Sequence, residues 1–201
     1  MPKVTFHNLP EIKKQTLILA AKKEFSRVPL YEASISNIIK TAKIPRGSFY
    51  QYFEDKEDLF FYLLNELMRE NRLNFMETLT KNAGNLFDTM IEFFHFMISK
   101  EEEFYFMRNT FLNMTYRVET TFARMFNPNE QKDNFEEINS FINKENLNLS
   151  SDEEIYHALQ IISAVTFRNF VVKFAKELSI EEAMQKYTIE LNLLKKGLVK
   201  R

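Results

Sequence analysis

The 201-residue sequence has no cysteine, three glycines and five prolines. Without cysteine there is no disulfide framework and no thiolate metal site, which fits a reducing compartment. Few glycines and prolines leave little to interrupt helices, so an all-α fold is expected. Long apolar runs are also missing. The longest covers residues 59–64, far below the roughly 20 residues of a membrane span. Met1-Pro2-Lys3-Val4-Thr5-Phe6 lacks the apolar stretch of a signal peptide. A cytoplasmic protein with no membrane segment is the expectation. Enzyme signatures are absent too: there is no glycine-rich phosphate loop, no His-x-x-x-His pair and no Gly-x-Ser-x-Gly elbow. No catalytic residue, metal site or cofactor is expected.

What the chain does hold is phenylalanine, 21 residues of it, and an uneven charge. The net charge is −1, yet residues 1–56 carry ten Lys and Arg against five Asp and Glu. A basic first quarter on an acidic body points to a polyanion at one end, although basic terminal segments are often only solvated faces.

Periodicity and caps outline about nine helices. Asn8 caps the first, with Pro10 in its opening turn and Ile12, Leu17, Ala20, Ala21 and Phe25 on its apolar stripe; Pro29 ends it. A short second helix follows over residues 34–43. Pro45 opens a third of barely two turns, to about Phe53. Asp55 caps a fourth, with Asp58 three residues on, running to about Asn82. Residues 86–99 form a helix with apolar groups on almost every face, residues 101–114 another. Asn127-Pro128-Asn129 breaks the chain before a weaker helix over 130–146. Ser151 and Ser179, each with Glu three residues later, cap the last two. The chain divides into residues 1–56 and residues 57–201.

Helices two and three read as a helix-turn-helix, the second helix of which can lie in a DNA major groove. Its first turn offers free backbone N–H groups at the positive end of the helix dipole. Arg46 adds a charge there, and Gly47 lets backbone approach a phosphate or base edge. Ser48 and Gln51 can hydrogen-bond base edges; Tyr50 and Tyr52 can reach phosphates across the groove wall, or simply pack. Lys56 can reach phosphate, or serve as a solvated cap residue. Lys43, in the link, and Ser34 and Ser36, at the start of the second helix, complete the candidate set. Phe49 and Phe53 are expected in the core, anchoring so short a helix. Phosphate contacts position such a domain, and a few side chains specify sequence.

The run Ser34-x-x-x-Ile38-x-x-x-Ala42-x-Ile44-Pro45-Arg46-Gly47-Ser48-Phe49-Tyr50-Gln51-Tyr52-Phe53-x-Asp55-Lys56-Glu57-Asp58-Leu59, with Ala20-Ala21-x-x-x-Phe25 before it, resembles the DNA-binding signature of TetR-family transcriptional regulators. The resemblance covers residues 10–60. It implies a homodimer that binds a double-stranded operator, and a C-terminal helical domain for ligand binding and dimerisation whose small effector releases the DNA. The chain departs from the family where Lys43 stands in place of the usual glycine and Pro45 in place of a frequent serine or threonine.

Seventeen of the 21 phenylalanines lie in residues 57–201. They suit either an ordinary helical core or a pocket for a hydrophobic effector. On the helices that enclose the pocket in proteins it resembles stand Phe93, Phe96, Phe104, Met107, Phe111, Phe167 and Phe170. His95 is expected as a buried core or pocket histidine, with contact to an effector or a haem iron as the sharper alternatives. Arg168, set among apolar neighbours, is expected to be buried and to need a partner, either an acidic residue across the dimer interface or an anionic ligand. The last two amphipathic helices are the expected dimer interface. The competing reading is a DNA-binding factor of the same fold that answers to a protein partner instead of a small molecule.

Overall fold

A computed structural model describes residues 1–123, 132–145, 147–149 and 151–199. Among them are eleven α-helices and one short 3₁₀ turn, and the only β pairing is an isolated bridge between Leu147 and Val199. The contacts divide the chain into two units. Met1–Leu67 with Glu102–Met114 form the first, and Met68–Glu101 with the chain from Thr115 onward the second.

The first unit contains α1 (Val4–His7), α2 (Glu11–Arg27), α3 (Ile35–Ala42), α4 (Arg46–Tyr52), the first half of α5 (Lys56–Lys81) and α7 (Phe104–Leu112). Leu17, Ala20, Ala21 and Phe25 recur at helical spacing on α2 and are buried. Ile12 is not part of that stripe: it is 82% exposed. Pro10, not Asn8, occupies the N-cap of α2, and its ring sets the φ of −54° with which the chain enters the helix. Asp55 does cap α5, accepting from the Asp58 N–H at 2.8 Å, while Asp58 accepts from the Glu54 N–H at 3.1 Å.

The link between α3 and α4 turns on Lys43, which is left-handed at φ 54°. The Ile44 N–H reaches back to the Ile39 carbonyl at 3.1 Å, closing the end of α3. A left-handed residue at this position is why glycine suits it, and lysine adopts it at a steric cost of about 1 kcal/mol. Pro45 then stands at the N-cap of α4 and prevents α3 and α4 from merging.

α7 packs on α2, and Asn109 donates its amide to the Phe25 and Ser26 carbonyls at 2.9 and 3.0 Å. Those carbonyls belong to the end of α2, where no further helix turn supplies N–H groups to donate to them.

The second unit contains the rest of α5, α6 (Leu86–Ser99), α8 (Tyr116–Ala123), α9 (Lys132–Phe141), α10 (Asp152–Ala175) and α11 (Ile180–Leu198). Phe94 of α6 stacks on Tyr187 of α11 at 4.1 Å and meets Phe170 of α10 at 4.9 Å. The buried Tyr187 hydroxyl pairs with Thr166 Oγ1 at 2.8 Å, and burial pushes its pKa well up. Ser151 and Ser179 cap α10 and α11, the latter in a complete capping box with Glu182. Gly84 sits at φ +78° where the α5–α6 turn meets the Phe141 carbonyl, leaving no room for a side chain. α10 is long and apolar enough to cross a membrane, but half of that stretch is buried inside the protein.

Two helices exceed the sequence expectation. α1 is a single turn, too short for periodicity to reveal. α8 follows residues 101–114, which form a 3₁₀ turn (Glu101–Glu103) and α7 instead of one helix. The expected break at Asn127-Pro128-Asn129 lies outside the described residues, and α9 stops at Phe141, short of the expected residue 146.

Candidate DNA-binding surface

α4 is only seven residues long and is held by one apolar edge. Phe49 and the following Phe53 are fully buried, and their rings lie 6.1 Å apart. That edge fixes which face looks outward. Arg46, Gly47, Tyr50 and Gln51 are exposed, and Ser48 and Tyr52 half-buried. Arg46 donates to the Tyr50 hydroxyl at 3.2 Å, and its guanidinium lies 5.7 Å from the Tyr50 ring centroid. The pair presents a cation and a phenol together, one turn apart. Lys43 and Ser36 are exposed beside them and Ser34 is half-buried. Lys56 is already engaged: its ammonium donates to the Tyr31 and Ala33 carbonyls at 2.8 and 3.0 Å, tying the start of α5 to the α2–α3 link.

Three supports of this surface were not foreseen from sequence. The first is Glu24, buried on α2. Its carboxylate accepts from Arg27 at 2.8 and 3.0 Å, from the Ser34 N–H at 2.9 Å and from the Asn37 amide at 3.0 Å. A negative charge thus sits at the positive end of α3 and sets the angle at which α3 leaves α2. A carboxylate on the stripe of Leu17, Ala20, Ala21 and Phe25 was a legible signal for such a role.

The second support is the N-terminal segment. The Lys3 N–H donates to the Tyr52 carbonyl and the Lys3 ammonium to the Tyr50 carbonyl, both at 2.8 Å. The Thr5 hydroxyl donates to the Gln51 carbonyl. These three carbonyls are the open end of α4, and a charged lysine there also suits the helix dipole. The third is Phe6, which anchors the segment in a ring cluster, 4.8 Å from Phe53 and 5.3 Å from Tyr62. No periodic pattern in a one-turn helix announces such roles.

Hydrogen bonds, from Arg27 above all and then from Ser34 and Asn37, hold the Glu24 carboxyl below the ordinary glutamate range despite its burial. Its contribution to stability is therefore complete above the unfolded value near 4.5 and fades as pH falls through the lower folded value. Glu24→Gln keeps an acceptor but loses the charge-assisted pair with Arg27. The expected cost is about 1–2 kcal/mol at neutral pH. Denaturant midpoints measured from pH 7 down to pH 3 check it: the gap between variant and wild type should narrow in acid.

The proposed effector residues divide between the units. Phe104, Met107 and Phe111 belong to the first, where Met107 and Phe111 are buried and Phe104 half-buried. In the second, Phe93 and Phe170 are buried and Phe96 and Phe167 half-buried. His95 is exposed, contrary to expectation: Asp88, Glu92 and His95 form the solvent stripe of α6, while Phe93 and Phe94 turn inward. Arg168 is likewise not buried. Its side chain is 66% exposed and pairs at 2.8 Å with Glu190 of α11 in the same chain. It is the neighbouring Asn169 that is buried, donating to Glu190 at 2.7 Å.

Two family models match the chain, one described as bacterial regulatory proteins, tetR family, over residues 17–63 and one as the C-terminal domain of tetracyclin repressor-like proteins over residues 85–198. The transcriptional regulator HbdR of Aromatoleum sp. (strain CIB) is 38% identical over 65 residues, 32% of this chain and 28% of that protein. BetI of Vibrio campbellii (strain ATCC BAA-1116) is 38% identical over 86 residues, 43% of this chain and 40% of BetI. The chain thus spans less than half the length of these curated relatives. Among solved structures, SmeT, the repressor of the Stenotrophomonas maltophilia multidrug efflux pump SmeDEF, superposes with a TM-score of 0.68 at 15% identity, covering 92% of this chain and 90% of SmeT. Bacillus subtilis FadR in complex with stearoyl-CoA gives 0.62 at 16% identity, covering 90% and 96%. At these identities the likeness is one of fold.

Proposed function

The chain belongs to the tetR family of bacterial regulatory proteins, and on that premise we propose that it is a homodimeric, cytoplasmic repressor. It holds a palindromic operator until a hydrophobic small molecule binds its C-terminal part. Residues 1–56 bind DNA, and residues 57–201 receive the effector and pair the two copies. The observation that carries this reading is the outward face of α4, where Arg46, Gly47, Tyr50 and Gln51 stand exposed above the buried Phe49 and Phe53. A helix that presents a cation, a phenol, an amide and bare backbone is suited to the polar floor and phosphate walls of a major groove.

Pairing through α10 and α11 is supported by Ile161, Ile189 and Leu193, which are 50%, 56% and 63% exposed on those helices. A second copy of the same face would cover them and place two reading helices one DNA turn apart. Release then requires that the effector bind better to a state in which that separation is wrong. Repression of a multidrug efflux pump belongs to SmeT and the complex with stearoyl-CoA to FadR. They support a hydrophobic effector here without naming it.

The test starts from an operator selected out of a random duplex pool. Arg46→Ala and Tyr50→Ala should each weaken binding to it by ten-fold or more, since a good base or phosphate contact is worth about 1–3 kcal/mol. Leu193→Glu should leave a folded monomer by light scattering that no longer holds the full site. Wild-type affinity in both α4 variants would sink the assignment of this surface.

A further inference from the structure

Within the second unit, α5 and α6 run antiparallel and meet along three rungs. Lys81 pairs with Glu92 at 2.8 Å, Phe75 meets Phe93 with ring centroids 5.5 Å apart, and Lys100 donates to Asn71 Oδ1 at 3.0 Å. The last rung is unlike the others. Asn71 is completely buried, yet its Nδ2 has no hydrogen-bond partner within the protein. On the same two helices Arg72 Nη1, Asn74 Oδ1 and Ser99 Oγ are also buried without a hydrogen-bond partner. The other end of the Arg72 fork is bound to Glu137, and by the helix register Ser99 lies opposite residues 71–74. A buried polar group without a partner costs about 1–3 kcal/mol, so the Asn71 amide, with the Ser99 hydroxyl across from it, calls for a ligand that completes it.

Their chemistry specifies that ligand. Asn71 Nδ2 and Arg72 Nη1 only donate, and the Ser99 hydroxyl can donate. Asn74 Oδ1 accepts, as the Ser99 hydroxyl also can, and a half-turn of the Asn74 amide exchanges oxygen for nitrogen. The Lys100 ammonium stands beside them, 4.4 Å from the centre of the Phe96 ring. Adjacent to this donor cluster lies the aromatic pair Phe75 and Phe93, both fully buried. We propose that the middle of α5 and the end of α6 form a head-group subsite for an amphiphile with a carboxylate, received by Asn71, Ser99 and Lys100, its apolar body lying along Phe75, Phe93 and Phe96. The proposal rests on the reading that the second unit binds an effector, and it adds the sign of the effector's charge. Donors and an ammonium suit an anion and repel a quaternary ammonium compound.

Three probes of one chain length separate the possibilities: dodecanoate, dodecanol and dodecyltrimethylammonium, each below its micelle-forming concentration, added to the full chain in a thermal-shift assay. Dodecanoate should stabilise the protein, dodecanol less and the cation not at all. Asn71→Leu, which keeps the number of side-chain heavy atoms but removes both the unpartnered Nδ2 and the Oδ1 that accepts from Lys100, should weaken dodecanoate about ten-fold or more in protein that still folds. Lys100→Met, at a half-buried site, tests the charge alone should Asn71→Leu fail to fold, and it too should weaken dodecanoate about ten-fold. Equal shifts with all three probes, or wild-type dodecanoate affinity in the folded variants, overturn the head-group proposal while leaving the effector reading standing. No shift with any probe also overturns the head-group proposal, whereas the effector reading falls only if a broad panel of apolar compounds gives none either.

Discussion

Gly47→Ala is expected to make the protein more stable and its DNA binding worse. Gly47 lies in the first turn of α4 at an ordinary helical φ, and a methyl group built on it meets no atom within 4 Å. Nothing inside the protein therefore requires a glycine, and glycine in a helix is about 0.5–1 kcal/mol less favourable than alanine. Alanine should return that amount in a thermal or denaturant titration. The bare backbone has a use only outside the molecule, where a phosphate or base edge can come within contact distance of the α4 amides. A methyl group there forces the helix outward and should weaken operator binding by about ten-fold or more, equivalent to roughly 1.4 kcal/mol. Titrations of a selected duplex at one fixed salt concentration check it, since phosphate contacts make affinity steeply salt-dependent. Unchanged affinity would mean that the backbone at Gly47 stays clear of the DNA.

The second large effect lies on the opposite side of the same helix. Phe6→Ala is expected to destabilise the first unit by about 3–4 kcal/mol, the usual cost of emptying a buried phenylalanine site. Phe6 is 1% exposed and packs on Phe53 and Tyr62. Its removal undocks α1, and with α1 go the Lys3 and Thr5 donors that close the end of α4. The last turn of a seven-residue helix should then fray. Hydrogen exchange should show the α4 amides losing protection more than those of α2. Thr5→Val supplies the milder comparison, removing one hydroxyl donor while Phe6 stays in place. A variant with wild-type midpoint and fully protected α4 amides would show that the N-terminal segment does not support α4.

These two predictions differ in how far sequence reaches toward them. Gly47 and Arg46 are legible because a short helix after Pro45 has few ways to be stable, and its polar residues stand out against Phe49 and Phe53. The Ser179–Glu182 capping box is equally legible, since a cap is decided within four residues, and both of its hydrogen bonds form. His95 and Arg168 show how apolar neighbours mislead. Each sits in a greasy stretch, yet lies on the solvent stripe of its own helix, and Arg168 finds Glu190 on the next helix. Phe6, Lys3 and Thr5 carried no local signal, because their partners lie more than forty residues away along the chain.

By itself, the sequence determines most of the helices, the caps at Asp55, Ser151 and Ser179 and the outward chemistry of the helix-turn-helix, since all of these arise from residues three or four positions apart. Only the tertiary structure decides that an N-terminal turn closes α4, that Glu24 meets the start of α3, and that Asn71 and Lys100 come together between α5 and α6. Those pairings depend on how whole helices pack, and packing is set by the summed burial of many side chains, not by the spacing within any one segment.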